Sequence, residues 1–458
     1  MDYSAANTAL WNFIIQMGLI AGAVMLANVL RRKISMIRKS LMPVGVMAGF
    51  ILLILKYTGI YRPDGALLEM LVYHSIALGF IAMSLRTASA EGPAGEKSVG
   101  FKSGAIIVGT YLIQAVLGLA ITLILSWTLM PDMFRAAGLL LPMGFGQGPG
   151  QANNVGTTYE ALGFAGGRSF GLAIAAAGYL CACTVGVLIL NRWARKGMLQ
   201  SGESRFDETQ TDGFFQDRNE IPISDSIDKL SVQFAMILLV YLATYLITWG
   251  ITSGIAAVSP GLAATVNTLL WGFNFIIGSV MALATRVLLE KGRKAKLITR
   301  QYQNNYLLNR ISGFFFDLMI VAGIASINVE DIRALWLPFV LLSLAGGVGT
   351  WLYLCYVCKK AYPGYYREGL ISMYGMLTGT IGSGVLLLRE IDPELHTPAA
   401  NNLVVGSSYA IVLGAPLLAF VSLAARSTLM CVVTFVLAFV YMAALTVVVC
   451  RKPSGKKK

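Results

Sequence analysis

The sequence predicts an all-α polytopic membrane protein: an inverted repeat of two five-span units, each with a re-entrant hairpin, plus one extra C-terminal span. Three observations carry this expectation. Of 458 residues, 56% are hydrophobic and only 13% charged, about half the roughly 25% charged share of soluble domains, and mean hydropathy is +0.68. The apolar residues gather into runs long enough to cross a bilayer. Two further apolar stretches are interrupted by glycine and proline at corresponding places in the two halves. A soluble enzyme is thereby excluded. The net charge of +13 sits in short clusters between apolar runs, which is membrane topology rather than a face for nucleic acid. The expected partner is the lipid bilayer.

A run of about 20 residues, rising 1.5 Å per residue, crosses a hydrocarbon core of about 30 Å. Runs of that kind are 11–30, 41–58, 67–85, 104–129, 169–190, 231–249, 263–288, 311–328, 335–358, 402–424 and 431–450. Eleven crossings place the termini on opposite sides. With residue 1 outside, 29 of the 36 Lys and Arg fall in inner segments, as the resistance of basic loops to translocation requires. The N-terminus is therefore expected outside and the C-terminus in the cytoplasm. Arg31, Arg32 and Lys33 follow the first span instead of preceding it, the pattern of an uncleaved anchor. The expected organisation is a first repeat over 1–191, a cytoplasmic linker over 192–229 too short for a core of its own, a second repeat over 230–424, and an extra span with a basic tail over 425–458.

The first interrupted stretch, about 136–164, carries four glycines and Pro149 between Gly144 and Gly150. In a helix interior these cost about 1 kcal/mol per Gly and about 3 kcal/mol per Pro, so the chain should break there. The second, about 369–389, carries Gly379, Gly382 and Gly384 with Thr and Ser between them. Unpaired backbone at membrane depth survives only under protein cover or beside a watery cavity. A hairpin returning to its own side meets that condition. The first would enter from outside and the second from the cytoplasm, the paired arrangement of secondary transporters. Glycines can also serve close helix packing alone, but that does not account for Gln151, Asn153 and Asn154 beside Pro149.

Half-helix N-termini favour an anionic group, whereas unwound carbonyls and Asn, Thr and Ser oxygens suit a hard cation such as Na+. The substrate candidates are Gly146, Gln147, Gly148 and Gln151 in the first hairpin and Thr378, Thr380, Gly382, Ser383 and Gly384 in the second, with Arg389. The cation candidates are Asn153, Asn154, Thr157, Glu160, Asn401 and Asn402. Several have two readings. Arg389 could hold a substrate carboxylate bidentately, or snorkel to the interface or pair with Glu390. Glu160 could neutralise Na+ or simply reach the outer interface, and Asn401 and Asn402 could cap a helix instead. His74 and Asp317 read either as cation or proton sites or as satisfied structural groups. Cys355 and Cys358 form a C-x-x-C without partner ligands, and only two His are present, so neither metal nor redox chemistry is indicated. Catalysis would need a convergent acid–base or nucleophile set, and a channel a continuous polar stripe. The polar groups here are amides, hydroxyls and isolated charges in two inverted breaks, so no enzyme is expected.

In order and spacing the chain resembles the bacterial sodium/glutamate symporters over nearly its whole length to about residue 425. The resemblance is carried by Gly79–Arg86, the Gly-rich Gly144–Asn154 followed by Tyr159-Glu160 and Gly163-Phe164, Val329–Ile332, Leu335–Pro338, and the Tyr362–Arg367 turn into the second Gly-rich stretch. It differs in having Gly146-Gln147-Gly148-Pro149-Gly150 and Thr378–Gly384 at the breaks, and in its eleventh span. The resemblance implies a homodimer in the inner (plasma) membrane, with a fixed scaffold and a mobile unit carrying both hairpins. It would move a small anionic solute, glutamate above others, elevator-fashion with Na+. Another carboxylate, or H+ as the coupling ion, is the alternative.

Overall fold

The computed structural model describes residues 3–4, 6–35, 37, 41–87, 96–196, 229–258, 270–272, 274–297, 300–392 and 397–451. Every regular element among them is a helix, and eight are long and apolar enough to cross a membrane, the character of a multi-pass membrane protein. In chain order the helices are α1 (Thr8–Lys33), α2 (Val44–Tyr57), α3 (Gly65–Leu85), α4 (Glu96–Trp127), α5 (Pro149–Ala161), α6 (Gly167–Arg195), α7 (Lys229–Val258), α8 (Asn274–Lys294), α9 (Asn305–Ser326), α10 (Val329–Arg333), α11 (Trp336–Ala361), α12 (Tyr366–Thr378), α13 (Ile381–Arg389), α14 (Ala399–Leu413), α15 (Ala415–Ala424) and α16 (Thr428–Cys450). A 3-10 turn (Arg135–Leu139) and a π-helical turn (Pro142–Gly146) precede α5.

Two of the eleven expected spans take a different form, and a third is described only in part. Helix α2 has 14 residues, about 21 Å at the helical rise and short of a full hydrocarbon core. The run expected at 263–288 is helical over 270–272 and from Asn274 onward; residues 263–269 and 273 lie outside the described residues. The run at 402–424 is bent by 51° between α14 and α15, where Pro416 can neither donate a backbone hydrogen bond nor clear the carbonyl four residues before it. Most of the linker, 197–228, and the tail beyond Arg451 also lie outside the described residues.

The chain divides into two compact units, Met1–Glu69 with Gly92–Gly202 and Ile320–Lys458, and Met70–Glu91 with Glu203–Met319. Both interrupted segments belong to the first. There α4 is central: Ala105, Ile106, Ile107, Val108, Leu112, Ala115 and Leu119 have no exposed surface, and the helix packs against α11, α14 and α16. The second unit closes on Ile81, Ala82, Leu85, Ile237, Val240, Ala282, Leu308 and Ile311. In it Ser312 Oγ donates to the Gly79 carbonyl at 2.9 Å, and His74 Nδ1 lies 2.7 Å from Tyr241 Oη. His74 is thus tied to a structural partner, while Asp317 is exposed.

In the first unit Asp64 starts α3: its Oδ1 accepts from the Leu67 amide at 3.1 Å and its Oδ2 from Asn12 Nδ2 on α1 at 2.6 Å. The Leu67 amide first, and Asn12 second, hold this carboxyl below the ordinary carboxylate range. A lowered folded pKa contributes stability above the unfolded value of about 3.9, and that contribution is lost as pH falls through the folded pKa. The protection factors of amides at the start of α1 and α3, which divide out the intrinsic pH dependence of exchange, are therefore expected to be unchanged from pH 7 to 5 and to fall below about pH 4. Asp64→Ala should show the lower protection already at pH 7.

Candidate functional site

The first break is built from π-turn, bend and helix. The Gln147 amide donates back to the Pro142 carbonyl at 3.1 Å, five residues away, closing the π-turn, a feature frequent at functional sites. Gly148 follows with φ +89, a conformation in which a Cβ would be strained. Pro149 then occupies the first helical position, where its missing N–H costs nothing. No side chain caps α5, so the Gly150 and Gln151 amides have no partner within the helix. The arms fold back on each other: the Phe134 and Tyr159 rings are 5.1 Å apart.

The second break is the pair Gly379-Thr380 between α12 and α13. Thr380 caps α13, its Oγ1 accepting from the Ser383 amide at 3.5 Å. These arms also pack together, because a Cβ at Gly375 would lie 2.9 Å from Gly384 Cα. The two breaks abut: a Cβ on Gly148 would be 4.0 Å from the Gly379 carbonyl oxygen and 3.9 Å from Tyr179 Oη on α6. The residue before that tyrosine, Gly178, lies directly under the Thr378 carbonyl and Phe145.

Besides Tyr179 on α6, an amide side chain of α4 reaches this junction from outside both interrupted segments. Gln114 on α4 is wholly buried. Its Nε2 donates to the Leu377 carbonyl at 3.0 Å and to Thr350 Oγ1 on α11 at 2.8 Å. Its Oε1 has no hydrogen-bond partner and faces Gly146, whose Cβ would stand 2.8 Å away. Ser383 Oγ and Gln151 Oε1 are likewise buried without a partner. Each such group costs about 1–3 kcal/mol unless something pairs with it. The junction therefore offers helix-end amides to an anion and unpaired oxygens to a cation or donor.

The structure sorts the sequence candidates. Gly146, Gln147, Gly148, Thr378, Thr380 and Ser383 stand at the two breaks, with Gln151 one turn into α5. Thr378 is buried, and its hydroxyl bonds the Tyr374 carbonyl at 2.8 Å. Gly384 belongs to the seam between α12 and α13, beneath the Ser372 carbonyl, and Gly382 is exposed with only Thr380 Oγ1 near it.

Others are drawn elsewhere. Arg389 is exposed at the last residue of α13, nine residues from Thr380 and so about 13 Å along the helix; it is not brought to the break. Asn153 Oδ1 accepts from Arg168 Nε at 3.1 Å, Glu160 Oε1 accepts from the Arg168 amide at 3.0 Å, and Arg168 Nη1 pairs with Glu69 at 2.9 Å. Arg168 thereby links Asn153, in the second turn of α5, to Glu160 at its far end. Asn154 is buried and Thr157 half-buried on the same helix. Asn402 donates to Tyr365 Oη at 2.7 Å, and Asn401 is exposed. Sequence reasoning missed Gln114; an amide alone in the apolar run 104–129 was the available signal. Among the described residues no cluster of His, Cys, Asp and Glu could hold a metal ion. No family model and no curated protein matches the chain.

Proposed function

We propose that this chain is a secondary active transporter coupling Na+ to the uptake of a small anionic substrate, glutamate above others, by an elevator-type mechanism. One observation carries the reading: two interrupted helices bring their breaks together around buried, unpartnered oxygens and helix-end amides. Paired breaks of this kind are the construction secondary transporters use to hold a solute and its ion. The order of elements supports an inverted repeat. A long helix, an interrupted segment and a second span follow one another as α4, 135–161 and α6, and again as α11, 366–389 and α14–α15. In this reading both interrupted segments are re-entrant, the first from outside and the second from the cytoplasm. Their common membership of one compact unit supports that unit as the moving part, and two copies form the dimer implied by the symporter resemblance.

The full chain in proteoliposomes is expected to accumulate labelled glutamate under an inward Na+ gradient and not under an equal choline gradient. Accumulation indifferent to Na+ would remove the coupling. The groups at the junction are amides and hydroxyls, which do not by themselves select an amine. A dicarboxylate is therefore the second reading, and competition by unlabelled dicarboxylates against glutamate decides between the two.

A further inference from the structure

The orientation of the Gln114 amide is fixed by chemistry. A backbone carbonyl can only accept, so the Gln114 atom 3.0 Å from the Leu377 oxygen is the nitrogen. The same nitrogen reaches Thr350 Oγ1 at 2.8 Å, which leaves its two hydrogens placed. The oxygen is consequently turned toward Gly146, wholly buried and unpaired. Flipping the amide would set oxygen against oxygen at Leu377. Gly146 lacks the Cβ that would otherwise fill the space before Oε1, at 2.8 Å. Ser383 Oγ, also buried and unpaired, would lie 2.9 Å from a Cβ on Gly379, next to the second break. A buried acceptor held this firmly suits a positive charge or a strong donor.

We propose that Gln114 Oε1 is a ligand for a cationic group held between the breaks, either Na+ or the ammonium of an amino-acid substrate. This deepens the carrier reading and rests on it for the identity of the ligands. In this arrangement Nε2 secures the carbonyl end of α12 while Oε1 meets the cation, so one side chain joins α4 to both breaks.

Thermal unfolding of the detergent-solubilised full chain tests it, since a ligand bound only by the folded state raises the melting temperature. Sodium chloride is titrated against choline chloride, and glutamate against its amine-free analogue glutarate. For the wild type, a shift with Na+ but not choline assigns the ion, and a shift with glutamate but not glutarate assigns the ammonium. Gln114→Leu should weaken the assigned ligand at least tenfold. Gly22→Ala, outside the junction and with nothing within 4 Å of its Cβ position, should keep the midpoint within about threefold. A wild type indifferent to both Na+ and amine overturns the inference, as does a folded Gln114→Leu with an unchanged midpoint. Loss of the shift in Gln114→Leu without any transport by the wild type would remove the carrier reading and leave the cation site. Na+-driven uptake with an unchanged Gln114→Leu midpoint would do the reverse.

Discussion

Gly146→Ala is expected to fold and to lose at least tenfold in affinity for both Na+ and substrate. The added methyl would stand 2.6 Å from Tyr111 Cε1 and 2.8 Å from Gln114 Oε1. Gln114 cannot retreat without releasing the Leu377 carbonyl and Thr350. The carbon therefore enters the space before the unpaired oxygen and replaces a polar contact by an apolar one. Crowding of this kind costs about 1–3 kcal/mol in stability, and a tenfold loss of affinity corresponds to about 1.4 kcal/mol. Na+-dependent melting and uptake by the same preparation measure both effects. Full affinity in Gly146→Ala would place the ligand elsewhere.

The largest effect on folding is expected at Gly118. Helix α4 crosses the 3-10 turn there with backbone against backbone: a Cβ on Gly118 would lie 2.8 Å from the Gly138 carbonyl carbon, and one on Gly138 would lie 2.5 Å from the Leu119 nitrogen. The Thr122 hydroxyl, donating to the Arg135 carbonyl at 2.7 Å, ties the two segments together beside the crossing. Neither side can yield by rotating a side chain, so the elements must separate. Gly118→Ala should cost about 3 kcal/mol or more, at the upper end of overpacking effects. The measurements are the folded fraction after detergent extraction and the melting temperature. Gly22→Ala is the control: nothing lies within 4 Å of its Cβ position, and alanine within a helix gains about 0.5–1 kcal/mol over glycine. Equal melting temperatures for the two variants would show that the crossing has slack.

Helices and breaks were legible in the sequence because each depends on local composition. Long apolar runs set α1, α3, α11 and α16 within about three residues of their bounds and α4, α6, α7 and α9 within about nine, and the helices stop at Gly148-Pro149 and at Gly379. The 51° bend before Pro416 and the short α2 were less visible, since hydropathy counts apolar residues without asking whether their backbone is continuous. Side-chain destinations were legible only in part. Asn153 and Glu160 look like ion ligands beside a break, yet α5 carries them toward Arg168 on the neighbouring helix. Arg389 lies close to the second break in sequence and far from it along a helix. Gln114 is distant in sequence from both breaks, and only the packing of α4 brings it to them.

The two breaks are held by unlike means. At Gly148, φ is +89 and a rigid pyrrolidine follows; at the second break φ is negative at both Gly379 and Thr380, −143 and −141, and no proline follows. The first tip is thus a locked joint, while the second lacks a proline and is hemmed in by neighbours such as Ser383 Oγ and Tyr179 Cδ1, at 2.9 and 3.1 Å from a Cβ on Gly379. Torsional freedom is therefore unequally shared: the second tip can be reshaped by moving what surrounds it, and the first can shift only as a rigid piece.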